Sequence, residues 1–82
     1  MNVNDMTQLM KIYDGLLKVE DGLDIITDGH GRDGALNEAF WIEDFIQKFS
    51  VFGEEEIDEF VDLIQDRKLS PRKRALKLLG MK

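Results

Sequence analysis

NDMTQLMKIYDGLLKVEDGLDIIT, residues 4–27, decides the fold, because it supports two periodicities at once. Read as a helix capped near Asn4 or Asp5, it gathers Met6, Leu9, Met10, Tyr13, Leu16 and Leu17 on one face, flanked by Ile12 and Val19. Lys11, Asp14, Gly15, Lys18 and Asp21 then fall opposite. Read as strands, the Asp-Gly pairs at 14–15, 21–22 and 28–29 become hairpin turns between LMKIY, LLKVE and LDIIT. The runs lack strict alternation and are rich in Leu and Met rather than β-branched residues, which favours the helix. Gly15 and Gly22 would each cost about 1 kcal/mol inside it. Glu20 and Asp24 fall on the apolar stripe, so the helix is expected to end or bend near Gly22.

Downstream lies the aromatic-rich stretch GALNEAFWIEDFIQKFSVF, residues 34–52, with the single tryptophan and four of the five phenylalanines. Aromatic side chains bury the most area per residue, so this stretch is expected to sit at the centre of the fold. A helix over residues 35–50 puts Ala39, Ile42, Phe45, Ile46 and Phe49 on one face and Asn37, Asp44, Gln47 and Lys48 on the other. Phe40 projects among the polar residues and Trp41 sits at the edge of the stripe. Two readings follow: both are core, sandwiched between neighbouring helices, or both are exposed anchors for a protein partner.

Between these segments, TDGHGRDGALNE reads as a glycine-rich connector. It is not a calcium loop: a register starting at Asp28 puts His30 third, Arg32 fifth and Ala39 twelfth, where ligands are needed. Nor does it supply GxGxxG in a strand–helix setting. His30, the sole histidine, is flanked by glycines with no partner acid or serine in view, and reads as an exposed loop residue.

GEEEIDEFVDLIQDRK, residues 53–68, has the cleanest helical pattern: Ile57, Phe60, Val61, Leu63 and Ile64 against Asp58, Glu59, Asp62 and Asp66. Glu54, Glu55 and Glu56 suit a helix start, and Arg67 and Lys68 its end. In LSPRKRALKLLGMK, Ser70 is a good N-cap, Pro71 fits the first helical position and Gly80 can close the end. A short helix over residues 71–79 would bury Ala75, Leu76 and Leu79. Arg72, Lys73 and Arg74 occupy its first turn against the dipole, at about 0.3–1 kcal/mol each, so a compensating acid is expected from the chain or from a partner.

The charge is segregated. Residues 1–66 carry four cations and all 17 acids, a net of −13; residues 67–82 carry seven cations and no acid, a net of +7. The expected architecture is an all-α bundle of three to four short helices in one domain, residues 1–82, with a basic C-terminal helix or tail at 67–82. The alternative is α+β with a small N-terminal β-meander. A chain of 82 residues buries only about 60–65% of its unfolded surface, so a second chain or partner is a common supplement.

These features narrow function by exclusion. The absence of cysteine removes disulfides, thiolate metal sites and a thiol nucleophile. No HExxH, P-loop or GxSxG is present, and no nucleophile has a visible base, so no catalytic residue, cofactor or metal site is expected. No signal peptide or apolar run of membrane-spanning length is visible, and a cytoplasmic location is expected. The favoured reading is a non-enzymatic regulator or inhibitor, of a bacterial or phage type by composition. It binds a protein with a basic surface through Phe40, Trp41, Glu55, Asp58, Glu59 and Asp62. The alternatives are nucleic-acid binding through Arg72, Lys73, Arg74 and Lys77, and self-association as a dimer with the basic tail of one chain on the acidic face of another.

Overall fold

The computed structural model describes the backbone of residues 1–27 and 32–81 and the side chains of residues 1–22 and 38–81. Four α-helices follow in order: α1 (Val3–Thr27), α2 (Arg32–Phe49), α3 (Ile57–Ile64) and α4 (Pro71–Leu78), with a single 3₁₀ turn, Glu54–Glu56, leading into α3. No strand occurs among the described residues, so the fold is all-α and the β-meander alternative is set aside. His30 and the connector around it lie outside the described residues.

The long first helix replaces the expected bend. Its cap is Asn2, ahead of the expected Asn4 or Asp5, with Asn2 Oδ1 accepting from the Asp5 N–H at 2.8 Å, and the helix runs without a break through Gly15 and Gly22. Neither glycine takes a positive φ, and an added Cβ would meet nothing at either position. The helix absorbs them because its stripe is worth more. Met6, Met10 and Tyr13 are all fully buried. Each such side chain contributes about 1.5–3 kcal/mol, against about 1 kcal/mol lost per glycine. At 25 residues and about 1.5 Å each, α1 spans about 37 Å, the long dimension of a 40 × 24 × 20 Å body.

The centre of the fold is therefore α1 and not residues 34–52. It packs against both α2 and α4. Ala39, Ile42 and Ile46 from α2, Phe60 and Ile64 from α3, and Ala75 and Leu78 from α4 complete the core. On α2, Phe45 is only half-buried and Phe49 is exposed, contrary to the expected stripe. The seam against α1 needs one residue per turn, and Ala39, Ile42 and Ile46 already fill it. On α4, Leu78 takes the core position expected of Leu76 and Leu79, which are half-buried.

The ends of the elements follow local chemistry. Ser50 turns the chain out of α2, its hydroxyl donating to the Gln47 carbonyl at 2.9 Å and accepting from the Phe52 N–H at 3.2 Å. The Glu56 carboxylate reaches back to the Gly53 N–H at 3.3 Å. Ser70 caps α4, accepting from the Lys73 N–H at 3.2 Å with Pro71 at the first position. At its other end Gly80 adopts φ 70°, the Gly80 N–H donates to the Lys77 carbonyl at 3.1 Å, and the Met81 N–H to the Leu76 carbonyl at 2.7 Å. That is a Schellman closure, for which glycine is the favoured residue. α3 is shorter than its pattern suggested and stops at Ile64, leaving Arg67 and Lys68 beyond the helix.

Candidate functional site

Two polar nodes hold the helices together from consecutive residues of α1. The buried Tyr13 hydroxyl donates to Glu43 Oε1 of α2 at 2.6 Å and accepts from Gln65 Nε2, just past α3, at 3.4 Å. Burial pushes its ionisation well above the ordinary tyrosine value, and the Glu43 hydrogen bond pushes the same way. Next to it, Asp14 receives Arg74 in a bidentate pair, at 2.8 Å from one guanidinium nitrogen and 2.6 Å from the other. Arg74 also donates to the carbonyls of Ile64 at 2.9 Å and Leu69 at 3.1 Å, so four of its five N–H donors are engaged.

Arg74 is thus a correction to the sequence reading. It was grouped with Arg72, Lys73 and Lys77 as a contact for nucleic acid or an acidic partner, yet it is 1% exposed. The reason is electrostatic. A cation in the first turn of α4 is disfavoured there, but its guanidinium sits at the C-terminal end of α3, where unpaired carbonyls and the dipole both favour it. The compensating acid is Asp14 of the same chain. Asp14, expected on the solvent face of α1, is drawn inward by that pair. Arg67 approaches Asp21 of α1 at 3.9 Å. Both ion pairs that the basic segment makes among the described residues run to α1. Among the described residues none joins Arg72, Lys73 or Lys77 to the carboxylates of the 3₁₀ turn and α3.

The outer surface of α2 is where the candidate site lies. Trp41, Phe45 and Phe49 recur at i, i+4 and i+8 and form one aromatic ridge. The Trp41 and Phe45 rings stack at 6.0 Å and 19°, and Phe45 meets Phe49 at 5.1 Å and 56°. Trp41 is 61% exposed and Phe49 44%. Among the described residues, none of the three belongs to the core cluster or to the partly buried residues packed against it. One contact is stacked and the other tilted, both at centroid distances in the range aromatic pairs prefer.

Phe40 is exposed as well but points elsewhere, about 100° around the helix from Trp41. It lines a surface cleft of about 310 Å³ with Leu17, Glu20 and Asp21 of α1 and with Glu43, Gln65 and Arg67. The two aromatics expected to act as one anchor therefore occupy two places. Phe45 and Phe49, expected in the core, share the ridge with Trp41. Their i, i+4, i+8 spacing was the available signal.

The remaining expected contacts are on the surface. Glu55, Asp58, Glu59 and Asp62 are all exposed, as are Glu54 and Glu56, and Ile57 stands 41% exposed among them. Arg72, Lys73 and Lys77 are exposed on α4. Among the described residues no group of three or more His, Asp or Glu is arranged to hold a metal ion, and no helix is long and apolar enough to cross a membrane. No protein-family model, curated protein or solved structure matches the chain.

Proposed function

We propose that this is a non-enzymatic protein that binds and modulates another protein, with the α2 ridge of Trp41, Phe45 and Phe49 as its anchor. One observation carries the reading: three aromatic rings in mutual contact, one pair stacked and one tilted, lie outside the core of the described residues, the tryptophan more than half exposed. Large apolar groups left on a surface mark binding patches, and buried aromatic anchors dominate interface energetics. The exposed carboxylates Glu55, Asp58, Glu59 and Asp62 supply a field that favours a partner with a basic surface and speeds the encounter. Nucleic-acid binding through α4 has less support, because Arg74 is committed to Asp14 and only Arg72, Lys73 and Lys77 of that group remain available.

The test uses the tagged chain as bait in nuclease-treated lysate, beside a Trp41→Ala/Phe45→Ala variant and an Arg72→Ala/Lys77→Ala variant. The expected result is one dominant protein retained by the wild type and the basic-residue variant and lost from the ridge variant, whose thermal midpoint stays unchanged. The single tryptophan gives a second readout. Its emission is red-shifted in the free chain and moves to the blue when purified partner is added. Capture that ignores the ridge variant, or a ridge variant that does not fold, overturns the reading.

A further inference from the structure

The Schellman closure of α4 shapes a second surface. It brings Leu76 and Met81 together, as the motif's apolar contact does, and the two line an open concavity of about 430 Å³ whose other walls are Lys73 and Lys77. Val51 extends the apolar surface: its N–H donates to the Leu78 carbonyl at 2.8 Å, and its side chain lies 3.1 Å from where a Cβ on Gly80 would stand. Val51 is 60% exposed and Met81 51%. The result is an apolar hollow rimmed by cations that have no acidic partner within the described chain.

The same chain displays the complement. At the entry to α3, Ile57 is 41% exposed and is flanked in sequence by Glu54, Glu55, Glu56, Asp58 and Glu59, all exposed and none engaged in an ion pair among the described residues. An exposed apolar side chain in an acidic segment is complementary to an apolar hollow in a basic rim. We propose that the occupant of the α4 hollow is the 3₁₀–α3 entry of a second copy of this chain, and that the contact is used twice across a two-fold axis. Each copy then presents both halves of the match, as an isologous interface requires. Neutralisation of the basic rim comes from the partner copy, since the chain's own α3 does not provide it. The proposed contact uses none of the ridge residues Trp41, Phe45 and Phe49.

Charge-swapped chains test it by sedimentation velocity, up to about 1 mM, where contacts of millimolar affinity are half-populated. The residues changed are all exposed, and circular dichroism checks that each variant is folded. Wild type is expected to reach twice the mass of one chain. Lys73→Glu/Lys77→Glu alone and Glu54→Lys/Asp58→Lys alone should each remain monomeric. Mixed in equal amounts, the two variants should form a heterodimer, because each then carries the charge its partner needs at both contacts. Trp41→Ala should dimerise as wild type does. A wild type that stays monomeric throughout the range overturns the proposal. So does a dimer that survives either charge variant, a mixture that fails to associate, or a dimer abolished by Trp41→Ala.

Discussion

Arg74 and Trp41 sit in each other's expected places. Among the described residues the largest fully buried side chain is an arginine, while the only tryptophan is 61% exposed. The arginine is inside because every cost of putting it there is met locally: a bidentate carboxylate from α1, the last carbonyl of α3 and a loop carbonyl. The tryptophan is outside because the α1–α2 seam is already filled by small and aliphatic residues. Burial is decided by the partners that an interior position supplies, more than by the hydropathy of the residue that arrives.

The sharpest way to break this contrast is Arg74→Ala, which strands Asp14. Removing one member of a buried pair costs about 3–5 kcal/mol. A domain of this size has a total stability of about 4–12 kcal/mol, so the variant should be near or past unfolding in a urea titration. Arg74→Met with Asp14→Leu removes both charges together and should recover much of the loss, which separates the pair from the packing.

Tyr13→Phe deletes the other node and should cost about 1–2 kcal/mol, measured the same way. It also carries a pH signature. Tyrosine ionises near pH 10 when unfolded and higher in the folded chain, so the folded state holds the proton more tightly. The contribution is full below about pH 10 and is lost as pH rises through the folded value. Wild type should lose stability across that alkaline window, and Tyr13→Phe should flatten this part of the curve.

A smaller change of opposite sign is expected at Gly15→Ala, which meets nothing in the folded chain and should stabilise it by about 0.5–1 kcal/mol. A rise in melting temperature checks it. The smallest effect belongs to the exposed member of the contrast. Trp41→Ala should change unfolding free energy by less than about 0.5 kcal/mol, since it loses only the helix-surface stack on Phe45. If it costs as much as Arg74→Ala, the ridge is structural and the contrast fails.

Features written in residue type at fixed places were legible beforehand. Ser70, Pro71 and Gly80 mark the two ends of α4, because an N-cap, a first helical position and a positive-φ closure each favour a small set of residues. Helical period also separated α1 from a meander. The stripe on α2 marked Ala39, Ile42 and Ile46 as inward, but that Phe45 and Phe49 stay out of the core was not legible: Phe40, Trp41, Ile42, Phe45, Ile46 and Phe49 cover most of the helix circumference, and only the position of α1 selects among them. The destiny of Arg74 was hidden for the same reason. Asp14 lies 60 positions away, and a cation in a basic run carries no local mark that an interior acid awaits it.

The Asp14–Arg74 pair also sets an order of events when the chain is made. α1 is synthesised first, yet its core face is covered in part by α4 and its acid is neutralised only when residue 74 has appeared. Without α4, part of the apolar face of α1 has no cover and Asp14 has no guanidinium. Closure across so wide a sequence gap is slow compared with local helix formation. The last helix in the sequence therefore completes the packing of the first, and any truncation that removes α4 removes both the cover of α1 and the cation that Asp14 holds.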